Sequence, residues 1–344
     1  MANVIDKRYN STNEVMKYNF FIELEQGKGG RDQKTVRGYM NAIHEFEICT
    51  NFQDFKKFKQ DWSVDFKRHL ITKKDDISMS YCNNYMSHVR VFFEWLVKQK
   101  GYTHIHNKGI TLLYLTQNER NEAKATGIQK SYLVHKILST IRSMPNDTPI
   151  QMRDKAFLSL CILTTPRITA LMSARMISIE FLEEYNAWAF IQKKTKKRKL
   201  ITAFFISQYC ESIQDIVKNV LEWKEYLISK GFTQKDPLFP KIVPSFSKEN
   251  LPILELKKER IKSTTTARTI FEKAFQNNNL AYINPHSFRH TISKLMKKHS
   301  NSANLIPAFH ENYGHAKGMA EIISTYGRYY LYEQAELLAN FPLE

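Results

Sequence analysis

Three pairs of a capping residue followed by proline, Thr148-Pro149, Thr165-Pro166 and Asn284-Pro285, punctuate the second part of this 344-residue chain. Thr or Asn at an N-cap satisfies a free helical N–H, and proline is accepted in the first helical turn but not beyond it. Each pair therefore reads as the start of a helix and the end of whatever precedes it. The helix after Pro149 carries Ala156, Phe157, Leu160, Cys161 and Leu163 to a core, and Asn284 opens another over 285–299. Ahead of these, Thr126 and Gln129 have capping-box spacing for a helix that must stop before Pro145.

Between the second and third pairs the pattern changes. Residues 177–181, 187–191 and 200–206 are rich in branched and aromatic side chains, which predicts a small antiparallel sheet. Helical spacing returns over 207–230, 264–278 and 302–312. The first hundred residues read as four helices. Ser11 with Glu14 opens the first, 32–50 and 62–70 follow, and 80–100 carries Val89, Phe92, Phe93 and Leu96 before Gly101. The polar stretch 116–124 reads as part of a linker. The expected fold class is mainly α with a small antiparallel β-sheet.

Charge narrows the partner. Lys and Arg number 51 against 34 Asp and Glu, a net +17, of which +12 falls after residue 120. Such an excess points to a polyanion, because each cation that neutralises a phosphate releases counterions. No apolar run approaches the length of a membrane span, and the start lacks the pattern of a secretory signal. The expectation is a cytoplasmic protein, nucleoid-associated when bound to DNA. Cys49, Cys82, Cys161 and Cys210 are scattered with no C-x-x-C pair, so neither a zinc site nor a disulfide framework is expected.

Asn284-Pro285-His286-Ser287-Phe288-Arg289-His290 is the strongest local feature. His286 and Arg289 stand one turn apart near a helix N-terminus, where free N–H groups and a forked guanidinium suit a phosphate. Arg167 follows another helix-start signal. Lys193-Lys194-Thr195-Lys196-Lys197-Arg198-Lys199 lies between two expected strands and could hold DNA phosphates from a groove. Gly314-His315 and several tyrosines come later.

In this order the elements resemble the tyrosine recombinases of the phage integrase family. The resemblance implies an N-terminal helical core-binding, SAM-like DNA-binding domain over 1–110, a linker over 111–125 and an α+β catalytic domain over 126–344. It also implies a catalytic set of Arg167, Lys194, His286, Arg289, His315 and Tyr326. Lys193 and Lys196 are rivals for the lysine, and Tyr329 and Tyr330 for the nucleophile. Lys193, Lys196, Lys197, Arg198 and Lys199 are the expected DNA contacts. The implied activity is site-specific cleavage and rejoining of double-stranded DNA through a 3′-phosphotyrosine ester, with neither metal nor other cofactor. The implied assembly is a monomer in solution and a homotetramer on synapsed DNA. The alternatives are a DNA-binding protein on the same scaffold without catalysis and a type IB topoisomerase-like enzyme.

Three positions depart from the family pattern. Thr165 stands where a glycine is usual, Ala170 where an acidic residue is usual, and His315 and Tyr326 are further apart than is common.

Overall fold

A computed structural model describes residues 9–27, 30–72, 78–126, 132–192, 200–247, 252–299, 305–314 and 331–343. The chain divides into two compact units, Met1–Ile128 and Gln129–Glu344.

The first unit is helical. It comprises α1 (Ser11–Gln26), α2 (Gln33–Cys49), α3 (Gln60–Thr72), α4 (Met79–Leu96), the single turn α5 (Asn107–Ile110) and α6 (Gln117–Thr126). Phe20, Phe46, Phe55, Phe66, Phe92 and Phe93 are fully buried between them. Edge-to-face pairs such as Phe46 with Phe93, 5.2 Å between centroids, fix how the helices interlock. A buried polar node ties α1 to α2: the Asn13 amide donates to Glu47 at 3.2 Å and to the Gln53 carbonyl at 3.0 Å, and Lys17 pairs with Glu47 at 2.7 Å.

Two signals act one step away from the sequence reading. Asn10 rather than Ser11 caps α1, accepting from the N–H groups of Thr12 and Asn13. The stretch expected as linker instead contains α6, started by Glu119 accepting from the Thr116 N–H at 2.6 Å and tied to Lys67 of α3 at 2.6 Å. Thr126 accordingly ends a helix instead of opening one.

The second unit is built around α8 (Pro149–Thr164), which follows α7 (Val134–Ser143). Every residue from 156 to 164 in α8 is buried, so this part of the helix is enclosed on all sides and serves as the central rod. Thr148 and Gln151 form the capping box that starts it. The short α9 (Ile168–Met172) leads to β1 (Ile179–Leu182), β2 (Ala187–Gln192) and β3 (Ile201–Phe204), an antiparallel sheet in that order. The register sets Ile179 opposite Phe190 and Gln192 opposite Ile201.

Next come α10 (Gln214–Ser229), the hairpin of β4 (Pro240–Phe246) and β5 (Pro252–Arg260), α11 (Thr264–Gln276), α12 (Pro285–Lys298), α13 (Leu305–Asn312) and a C-terminal helix, Leu331–Ala339. The β4–β5 hairpin was not anticipated. That C-terminal helix is anchored to the end of the three-stranded sheet by the Ser207 N–H donating to the Leu338 carbonyl at 2.8 Å. Among the described residues no helix is long and apolar enough to cross a membrane.

Thr165 requires a correction. It does not cap α9; it closes α8 in the left-handed region, φ 42° and ψ 49°, with its N–H donating to the Cys161 carbonyl at 2.9 Å. Pro166 cannot prolong α8, so the chain turns sharply and Arg167 becomes the N-cap of α9.

Candidate active site

The start of α12 is as its sequence implies. Asn284 Oδ1 accepts from the Ser287 N–H at 3.1 Å and Pro285 occupies the first turn. His286 is consequently exposed, whereas Arg289, one turn on, points inward and is only 4% exposed.

Arg289 is held by backbone. Its Nε donates to the Thr165 carbonyl at 2.6 Å and its Nη2 to the Tyr313 carbonyl at 3.0 Å, while its guanidinium lies 5.2 Å from the Tyr313 ring centroid. A guanidinium has five N–H donors, so these two bonds leave three for a ligand. The turn carrying Arg167 and the turn preceding His315 therefore meet on one side chain.

Arg167 contrasts with it. It is exposed at the N-cap of α9, where its carbonyl accepts from the N–H groups of Ala170 and Leu171, and its guanidinium makes no hydrogen bond or ion pair among the described residues. It is nonetheless close enough to act electrostatically. Burial, reinforced by the Arg167 charge, pushes the pKa of Arg289 down to about 10. His286 is lowered from its usual value by desolvation, then by His290, Arg289 and Arg167. Arg289 and His286, each lowered first by burial and then by neighbouring positive charge that includes Arg167, form a site short of negative charge, the field a phosphate would relieve. His290 stands edge-on to His286, 4.9 Å between ring centroids.

A second set of bonds joins this cluster to the sheet. Asn312, fully buried at the end of α13, accepts from the Phe204 N–H at 2.7 Å and donates to the Phe204 carbonyl at 3.2 Å. Gln334 donates to the same Asn312 oxygen at 3.3 Å. Gly314 has φ +61°, and a Cβ built on it would lie 2.0 Å from Ile201 Cδ1. Glycine is needed there both for the backbone conformation and for the close approach. Ile201 is the first residue of β3, just after the lysine run, so the residue before His315 abuts the strand that follows those lysines.

Of the expected site residues, Arg167, His286 and Arg289 are brought together. Lys193, Lys194, Lys196, Lys197, Arg198, Lys199, His315, Tyr326 and the rivals Tyr329 and Tyr330 lie outside the described residues. Two contributors escaped the sequence reading. Tyr313 lends its carbonyl and ring to Arg289, with its own hydroxyl pushed up to about 12 chiefly by burial. Asn312 fastens the same segment to β3. Among the described residues no group of three or more His, Cys, Asp or Glu is placed to hold a metal ion.

A helix-start histidine and arginine and a second arginine at a turn, joined through the Tyr313–Gly314 segment to β3, form a positively charged cluster on a mainly α scaffold. The model of the phage integrase family matches residues 131–325, more than half of the chain, and the chain belongs to that family. Its fold is that of the tyrosine recombinases. The chain is similar to the XerH site-specific recombinase in its post-cleavage complex with a palindromic difH substrate. The TM-score is 0.57 at 15% identity, over 91% of this chain and 80% of that one. It is also similar to a lambda integrase tetramer bound to a Holliday junction, with a TM-score of 0.59, 12% identity and coverage of 91% and 80%. The integrase of transposon Tn1549 with circular intermediate DNA gives 0.52 at 11% identity, over 93% and 98%. No curated protein matches the chain significantly.

Proposed function

We propose that this protein is a site-specific DNA recombinase that cleaves and rejoins strands through a phosphotyrosine ester. The observation that supports it most is Arg289 clasped between the carbonyls of Thr165 and Tyr313, beside Arg167 and His286. One side chain thereby draws together the segments that carry three of the family's motifs. The solved neighbours bound to recombination sites, and the lambda integrase tetramer on a Holliday junction, support double-stranded DNA as partner and a homotetramer as the synaptic form.

In this reading Arg167 and Arg289 grip the nonbridging oxygens of one phosphate and stabilise the charge that builds as phosphorus becomes pentacoordinate. The Tyr326 oxygen attacks phosphorus, its proton passing to a neighbouring base, for which the neutral His286 is suited. The bond from phosphorus to the 5′ oxygen breaks, and that oxygen takes a proton from the Lys194 ammonium. His315 donates a hydrogen bond to the phosphate. The ester conserves the energy of the broken bond, so a 5′ hydroxyl from another strand can attack and release Tyr326 without ATP. The first unit serves to hold DNA, and the second carries the reacting residues.

A nicked substrate that loses its 5′ end after cleavage tests the reading. Wild type is expected to accumulate a covalent adduct, in EDTA as well as without it, and Tyr326→Phe to bind the same DNA with no adduct. An adduct formed by Tyr326→Phe, or none formed by wild type on its native site, overturns the assignment.

A further inference from the structure

Beside α9 the second unit has an open cleft of about 760 Å³. Its walls come from 170–178, the end of β2 and the 235–260 region. Backbone bonds lock two of these walls together: the Met176 N–H donates to Asp236, the Ile177 N–H to Gln234 and the Leu238 N–H to Ala174, each at 3.0–3.1 Å. Among the described residues, Arg175, Lys235, Lys258 and Arg260 line it, and no acidic side chain does. Lys258 is answered by Asp236 at 3.2 Å. Arg175, Lys235 and Arg260 are exposed and make no side-chain hydrogen bond or ion pair among the described residues.

Gln192 supplies an independent sign of a ligand. This last residue of β2 is 6% exposed, it lines the cleft, and its Nε2 has no hydrogen-bond partner among the described residues. An unpaired buried amide donor is costly and uncommon, and here it sits among unpaired cations. Ala170 lines the same cleft. The residue usual in the family at that position is acidic, so its replacement removes a carboxylate from the wall.

We infer that this cleft is a second phosphate site, which takes backbone phosphate oxygens of the bound DNA strand through Arg175, Arg260 and the Gln192 amide, apart from the phosphate that reacts. The inference rests on the DNA-recombinase reading above. The cations supply sequence-independent attraction, and the Gln192 amide, whose nitrogen is closed to solvent in the DNA-free protein, completes its hydrogen bond by a side-chain shift toward the occupant. Such a contact fixes the register of the duplex on the protein and takes no part in bond making.

The test is DNA binding measured against salt, beside adduct formation at saturating DNA. For Arg175→Gln with Arg260→Gln, the slope of log K on log salt should flatten by about 2, at roughly 0.9 for each phosphate no longer neutralised. Adduct formation from saturating DNA should persist. For Gln192→Met two readouts should move in opposite directions. The melting temperature of the DNA-free protein should rise, because an unsatisfied donor is gone, and DNA affinity should fall about 3- to 10-fold with the slope unchanged. A Gln192 that merely supports the fold would lower the melting temperature instead, which overturns its role. An unchanged slope in the double variant, while wild type binds and cleaves, overturns the cleft and leaves the recombinase reading standing. So does an unchanged slope accompanied by thermal stabilisation of DNA-free wild type by inorganic phosphate that the double variant lacks, since the occupant is then a free anion. If wild type neither binds DNA with salt dependence nor forms an adduct, the recombinase reading fails and this inference with it.

Discussion

Arg289 and Arg167 face the same small volume but are embedded in opposite ways. Arg289 is buried in α12 and spends two donors on the carbonyls of Thr165 and Tyr313. Arg167 stands exposed at a helix start, and its guanidinium makes no hydrogen bond or ion pair among the described residues. One cation is part of the framework, and the other is held in readiness. The difference shows that two residues proposed to share one chemical role can differ entirely in what they contribute to the fold, and mutation separates the two contributions.

The sharpest break of the comparison is Arg289→Ala. It strips a charge-assisted partner from two buried carbonyls and opens a cavity, so unfolding free energy should fall by about 2–4 kcal/mol. Arg167→Ala should leave stability within about 0.5 kcal/mol, because it removes an exposed side chain and relieves a like charge near Arg289. Both variants should lose at least about 100-fold in the rate of covalent adduct formation. Denaturant unfolding and single-turnover cleavage measure the two effects separately. Equal destabilisation by both substitutions would end the distinction.

The frame around Arg289 offers the next test. Gly314→Ala puts a Cβ against Ile201 and a side chain at positive φ. The expected loss is about 1–3 kcal/mol, accompanied by slower adduct formation, because the displaced segment carries the carbonyl that orients Arg289. A variant as stable and active as wild type would show that the packing of this turn on β3 is dispensable.

Much of this framework was legible in the sequence, for reasons that also explain the gaps. Asn284-Pro285 is a local signal, with cap and first turn adjacent, so the position of His286 and Arg289 on α12 followed directly. The three strands of the first sheet alternate or run apolar between turn residues, and the structure forms them at 179–182, 187–192 and 201–204. The β4–β5 hairpin was hidden because Pro240, Pro244 and Pro252 and the charged run Lys257–Arg260 break any strand pattern. A two-stranded ribbon tolerates them because each strand has only one hydrogen-bonded edge. Thr165-Pro166 has the same pattern as Thr148-Pro149, yet Thr148 is an N-cap and Thr165 the C-cap of the same helix. The distinction lies in α8, which continues one residue further and consumes the Thr165 N–H. The partners of Arg289 are backbone carbonyls 124 and 24 residues away, and a carbonyl leaves no mark in residue identity.

The imidazole of His286 gives a pH test of the same neighbourhood. Its pKa is lowered by desolvation and then by His290, Arg289 and Arg167, so the folded protein takes up its proton at lower pH than the unfolded chain does. Stability associated with this group is therefore intact above the unfolded value of about 6.5 and is lost as pH falls from there through the folded value. The group is exposed, and the stability effect is small. The rate is the better readout. Adduct formation at subsaturating DNA should decline with an acid limb centred below about pH 6.5, and His286→Gln should remove that limb. A midpoint above 6.5 would mean that an anion outweighs burial and the neighbouring positive charges around this ring in the free protein.

The smallest effect is expected where the chain departs from its family in the turn that holds both arginines. Thr165 occupies the left-handed region, which costs an L-residue about 1–2 kcal/mol and is least suited to a β-branched side chain. Its side chain is buried, so removing it forfeits packing worth about 0.8 kcal/mol per methyl group and enlarges the entropy of the unfolded chain. Thr165→Gly should consequently gain no more than about 1 kcal/mol. Thr165→Ala retains the strained Cβ and forfeits the same packing, so it should be less stable than Thr165→Gly by about 1 kcal/mol. The carbonyl at 165 is present in all three proteins, and Arg289 should keep its bond and its role, with adduct formation close to wild type. Comparing the two variants cancels the loss of the γ atoms and leaves the backbone strain less the extra unfolded-state entropy of glycine. If alanine proves more stable than glycine by the roughly 0.4–1 kcal/mol that this entropy alone supplies, the turn carries no strain, and the sharp reversal between α8 and Arg167 must be set by Pro166 and the buried end of α8 alone.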